Sequence, residues 1–178
     1  GNPIAISDPS TSKLGFNMTY GEDGNIYYAY TEDYDIKLQK ISGSGTHIWT
    51  VPVASSTADD IVKAIYPSPG TGCIIIYEKQ SFIEGSHIYA VAINGSGNIQ
   101  NGWPILISDL SGNQYYESSS KTAAGIFISF IDNSSGNYNV YGQFILFNGT
   151  MILGPTGQVI ASGSGNQESS YSAYNPIQ

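Results

Sequence analysis

Three alternating runs in this chain start at equal intervals of 52 residues: Ile36-Lys37-Leu38-Gln39-Lys40-Ile41, Ile88-Tyr89-Ala90-Val91-Ala92-Ile93 and Val140-Tyr141-Gly142-Gln143-Phe144-Ile145. Each is preceded by a more continuous apolar run: Ile26-Tyr27-Tyr28-Ala29-Tyr30, Cys73-Ile74-Ile75-Ile76-Tyr77 and Ile126-Phe127-Ile128-Ser129-Phe130. Each is followed by a glycine-marked turn, at Gly43-Ser44-Gly45, Gly95-Ser96-Gly97 and Asn148-Gly149. A fixed period of this size marks an array of equivalent supersecondary units.

The units read as strands throughout. Alternation with β-branched and aromatic residues fits half-buried pleated strands, and no run keeps a 3.6-residue period over three turns. Four short strands fall in each unit. Gly21-Glu22-Asp23-Gly24-Asn25, Pro67-Ser68-Pro69-Gly70-Thr71-Gly72 and Ala123-Ala124-Gly125 are the turns between first and second strands. Asp59-Asp60-Ile61-Val62-Lys63-Ala64 suits a single helical turn in isolation, but its place in the repeat assigns it to a strand. Segments such as Pro3-Ile4-Ala5-Ile6-Ser7-Asp8, Pro52-Val53-Ala54-Ser55 and Pro104-Ile105-Leu106-Ile107-Ser108-Asp109 suit an outermost strand, where proline costs no ladder hydrogen bond.

The expected fold is therefore all-β: a β-propeller-type array of about three four-stranded antiparallel blades, a partial propeller with a repeat of 52 residues. Blade units are placed at 9–57, 58–110 and 111–163. Residues 1–8 are read as the outer strand of a preceding blade, and 164–178 as the inner strand of a following one. Propellers typically close with about 4 to 8 blades. The three units are thus expected to be an excerpt of a longer chain, or else to close a ring by association.

Composition excludes several function classes. The net charge is -8, from fourteen acidic residues against six lysines and no arginine, which argues against a phosphate-backbone ligand. No apolar run reaches the roughly 20 residues of a spanning helix. The opening Gly1-Asn2-Pro3 carries no basic, apolar leader, so a processed or excised product is expected. Cys73 is the single cysteine and sits in an apolar run, where it reads as a small buried hydrophobe. Sequons at Asn17, Asn94, Asn133 and Asn148 point to a secreted or cell-surface setting.

The chemistry-bearing clusters are sparse. Glu32, Asp33 and Asp35 crowd one loop, and a calcium site there is the metal-binding alternative to a solvated acidic loop. His47 and His87 have no metal-ligand spacing. The loop-borne Tyr34, Tyr115, Tyr116 and Tyr138 are the candidates for stacking on a glycan or a protein ligand. Trp49 and Trp103 recur at matching places and, like Gly45 and Gly97, are expected to be structural.

At residues 30–41 with Trp49, and again at 132–137 with 139–145, the chain resembles secreted bacterial repeat β-propellers of cell-surface multidomain proteins, loosely akin to the sialidase-like Asp-box propellers. Residues 87–93 through Trp103 match less closely. An Asp-box would place Asp at Ser44 and Gly at Thr46, and a complete sialidase would need arginines for its substrate carboxylate. The resemblance thus implies a fold and an exported setting more than an activity. The expected function is a non-enzymatic binding or structural module. The alternatives are a carbohydrate-binding or glycoside-cleaving propeller segment, using the loop tyrosines with Glu32, Asp33, Asp35 or Asp132, and a self-associating ring or filament subunit.

Overall fold

The computed structural model describes residues 13–173, with side chains from residue 15 onward. The outer strand expected at 1–8 lies outside the described residues. Twelve strands follow: β1 (Lys13–Tyr20), β2 (Ile26–Glu32), β3 (Asp35–Ile41), β4 (His47–Ala54), β5 (Asp59–Pro67), β6 (Gly72–Ser81), β7 (Gly85–Asn94), β8 (Ile105–Leu106), β9 (Gln114–Lys121), β10 (Gly125–Asp132), β11 (Asn139–Leu146) and β12 (Gln158–Ala161). They pair as three antiparallel four-stranded sheets, β1-β2-β3-β4, β5-β6-β7-β8 and β9-β10-β11-β12. No helix occurs among the described residues, and none there is long and apolar enough to cross a membrane.

The 52-residue period is visible in the backbone. Ile36, Ile88 and Val140 all lie buried on third strands, paired with Thr31, Glu78 and Ile131 of the second. The turn after each third strand has one geometry. Ser42, Asn94 and Leu146 donate their N–H groups to Thr46, Asn98 and Thr150 at 2.8, 2.9 and 2.9 Å. Gly45, Gly97 and Gly149 hold φ at 88°, 87° and 89°, a conformation that a Cβ disfavours.

Sheet β5–β8 is the middle layer. Cys73, Ile75, Tyr77, Val91 and Ile93 pack on Tyr27, Ala29, Ile36 and Leu38 of the first sheet. Ile74, Ile76, Ile88, Ala90 and Ala92 pack on Ile126, Ile128, Phe130 and Ile145 of the third. Successive side chains point to opposite faces, so a strand covered on both sides must be apolar at every position. This is why β6 reads Cys73-Ile74-Ile75-Ile76 without alternation. Each fully buried isoleucine contributes roughly 1.5–3 kcal/mol.

The same contact recurs from sheet to sheet. A Cβ at Gly97 would sit 3.6 Å from Trp49 of the first sheet, and one at Gly149 would sit 3.3 Å from Trp103 of the second. Each tryptophan lies against the turn of the next sheet. Backbone crowding also recurs at the start of the second strands. A Cβ on Gly72 would lie 2.0 Å from Ile93 O, and one on Gly125 would lie 2.1 Å from Ile145 O. Gly70 also has positive φ (83°) but faces open space. Gly72→Ala should therefore lose about 2 kcal/mol more than Gly70→Ala in urea unfolding, since only the former adds overpacking to the φ penalty. Equal losses would show that the backbone yields at Gly72.

Among the described residues, two regions lack a covering sheet or a strand. Phe16, Met18 and Tyr20 alternate along one face of β1 and are largely exposed. After β12, residues 162–173 form no strand: the inner strand expected over 164–178, with its run Ser170-Tyr171-Ser172-Ala173-Tyr174, is not formed as far as Ala173, and 174–178 lie outside the described residues. The described segment is tied down by single bonds instead: Ser170 N donates to Glu117 Oε2 at 2.8 Å, and Gln167 N donates to Tyr138 O at 2.7 Å.

Candidate functional site

The β2–β3, β6–β7 and β10–β11 loops and the sheet-to-sheet connections lie at one end of the sheets, and two clefts open there beside β5. The first two residues of β5 build the wall between two of them. Consecutive strand residues point to opposite faces, so Asp59 lines one cleft and Asp60 the other.

The Asp59 cleft, about 360 Å³, is lined by Gln80, Ser81, Phe82, Ser86, Asn113 and Tyr115 as well. Its rim is the β6–β7 turn. Ser81 Oγ accepts the N–H groups of Ile83 and Glu84, both at 3.2 Å, and Gly85 takes φ 85°. The turn is thereby fixed with Phe82 and Ile83 projecting fully into solvent. Asn113 Oδ1 accepts Ser86 N–H at 3.0 Å and so joins the second sheet to the third. Tyr138 meets Tyr115 edge to face, centroids 5.9 Å apart.

The Asp60 cleft, about 290 Å³, is lined by Ser55, Ser56, Tyr77, Lys79, Tyr89 and Pro104 among others. Tyr77 and Tyr89 stack at 5.6 Å and 21°. Asp60 is 1% exposed. Burial pushes its carboxyl up to about 6, against the hydrogen bond from Ser56 and the attraction of Lys79, and with Asp35 and Asp59 adding repulsion. Its backbone is pinned to the first sheet: Asp60 N donates to Tyr34 O at 2.9 Å, and Thr31 Oγ1 donates to Asp60 O at 2.9 Å.

The four tyrosines singled out in the sequence do not form one surface. Tyr34, 56% exposed at φ 72°, presents its carbonyl to Asp60. Tyr115 and Tyr138 belong to the Asp59 cleft and its rim. Tyr116 turns inward: its hydroxyl bonds to Ser119 Oγ at 2.7 Å, and burial pushes it up to about 12. In the acidic loop Glu32 and Asp33 line a third cleft with Lys37, and Asp35 is bonded elsewhere. Glu32 pairs with Lys37, and Asp35 accepts Ser55 Oγ at 3.2 Å. Among the described residues no three His, Cys, Asp or Glu side chains are grouped to hold a metal.

Asp59, Asp60, Phe82, Ser86 and Asn113 escape a sequence reading of function. An Asp-Asp pair opening a strand is the only local signal for the first two. Nothing in the sequence says that the connection at Asn113 returns to the β6–β7 turn. The chain matches no known family model, no curated protein and no solved structure.

Proposed function

We propose that the chain is a β-propeller-type array serving as a non-enzymatic binding module of a secreted or cell-surface protein, with a hydroxyl-rich, glycan-like ligand at the Asp59–Asp60 end. The carrying observation is the Asp59 cleft beside β5, which combines a partly open carboxylate with the rings of Phe82 and Tyr115 and with hydroxyl and amide groups. Carboxylates and amides take the hydrogen bonds of sugar hydroxyls, and ring faces cover their apolar C–H surfaces. The blade reading is supported by the recurring tryptophan-on-turn contact between successive sheets, and the exported setting by the four sequons.

A glycan array should give a defined set of hits for the wild-type chain. The Phe82→Ser/Tyr115→Ala double variant should bind the same glycans at least about tenfold more weakly, the loss of one or two aromatic contacts. A silent array would refute a glycan ligand, and hits indifferent to both rings would refute one at the Asp59 cleft.

The exposed Phe16, Met18 and Tyr20 favour a second reading, self-association through the open face of β1. Sedimentation should then show mass increasing with concentration, and Met18→Asp should abolish the increase. A wild-type monomer at all concentrations rules it out.

A further inference from the structure

Each sheet has a corresponding cross-strand pair at, or one residue in from, the place where its first strand begins. In the first sheet Lys13 pairs with Glu32, and in the second Asp60 pairs with Lys79. The sign is reversed between the two, but each pair contains one ammonium and one carboxylate. In the third sheet the pair is Gln114 with Asp132. The positions correspond: Val62 and Tyr116, two residues after Asp60 and Gln114, each donate an N–H to the preceding sheet, at Thr31 Oγ1 and Glu78 Oε1. The third sheet thus keeps the carboxylate and lacks the ammonium.

Both side chains are fully enclosed, Gln114 at 0% exposed and Asp132 at 1%. Each leaves one oxygen without a hydrogen-bond partner, Gln114 Oε1 and Asp132 Oδ2. The rest of each group is committed. Gln114 Nε2 donates to Ser108 O at 3.2 Å and Leu110 O at 3.1 Å, which leaves its Oε1 as the free end of the amide. Asp132 Oδ1 accepts Ser134 N–H at 2.7 Å. Gly112 packs close beside Asp132, where a Cβ would lie 2.8 Å from Oδ1 and 2.3 Å from Ser134 N. A buried carboxylate oxygen with no donor costs far more than a paired one.

We infer that a hard, oxygen-seeking cation binds between Gln114 and Asp132, at the register position where the corresponding cross-strand pair of each other sheet includes a lysine. The donor set is all oxygen, the chemistry that calcium, magnesium and sodium share and that softer metals avoid. The site differs from the acidic loop, where Glu32 pairs with Lys37 and Asp35 accepts Ser55 Oγ, and it stands independently of the glycan reading.

The test is a thermal melt of chelator-treated protein titrated with Ca²⁺, Mg²⁺ or Na⁺, with choline chloride as the ionic-strength control. At least one cation should raise Tm saturably, by about 5 °C or more at a hundredfold excess over Kd. Asp132→Asn should abolish the response. Gln114→Lys should melt at the cation-loaded temperature without any cation. If no cation raises the wild-type Tm above the choline control, or if Asp132→Asn still responds, the inference is overturned. The wild-type titration decides the matter even where a variant fails to fold.

Discussion

Replacing Lys40 by alanine should destabilise the chain by about 3–5 kcal/mol, the loss typical of breaking a buried ion pair from one side. Lys40 Nζ reaches Asp23 Oδ2 at 2.8 Å, with both side chains little exposed. It also donates to Gly95 O at 2.9 Å, in the turn of the next sheet. Its ammonium lies over the rings of Tyr27 and Trp49, 5.4 and 6.0 Å from their centroids. Burial pushes the Asp23 carboxyl up, but hydrogen bonds from Lys40, Asn25 and Tyr27 outweigh it and hold the group at about 2. Alanine would leave that carboxylate enclosed with Tyr27 and Asn25 alone, and would cut a polar tie between the first and second sheets. Domains of this size have a net stability of about 5–15 kcal/mol, so the variant should unfold at far lower urea. The double variant Lys40→Met/Asp23→Asn should recover most of the loss, since neither charge is then stranded. A Lys40→Ala midpoint within error of wild type would mean that the network contributes nothing net.

Asp60→Asn should have the opposite sign, stabilising the chain by about 3 kcal/mol at pH 8 and by almost nothing at pH 4. The folded-state carboxyl sits at about 6 against an ordinary 3.8. One unit corresponds to about 1.4 kcal/mol. The folded chain therefore binds this proton more tightly than the unfolded chain does. Its contribution is fully present below the ordinary value and is lost as pH rises through about 6. Asp23 acts in reverse: its contribution is present above the ordinary value and is lost as pH falls through about 2. On these two groups alone stability should peak near pH 4 and decline toward neutrality, and Asp60→Asn should remove the decline. Urea midpoints between pH 4 and 8 measure it. Parallel profiles for the variant and the wild type would place the Asp60 pKa near its ordinary value.

Much of the fold was legible in the residues. Alternation at Ile36, Ile88 and Val140 placed the third strands, and the glycines at 45 and 97 placed the turns that follow them. The serine-rich stretch near Tyr115 had little apolar signal, yet it forms β9. There the hydrogen bonds of β10 and the packing of Tyr116 supply what the serines lack. The sequence also promised an inner strand near Ser170, but among the described residues that run meets β9 and β10 only through side-chain bonds and joins no ladder. Of the site, only Tyr115 and Tyr138 were singled out beforehand and then found together. Tyr116, an equal candidate by composition, is one strand position away and faces the opposite way.

The residues by themselves determined the all-β class, the period and the turns, because pleat alternation and positive φ are settled within a few bonds of the residue concerned. Only the tertiary structure decided which polar groups lost their water. Asp59 and Asp60 are chemically identical neighbours, yet Asp60 is buried against the first sheet while Asp59 stays partly open. Gln114 and Asp132 become a pair only when β9 lies beside β10. Desolvation depends on what covers a side chain, and the covering groups come from distant parts of the chain.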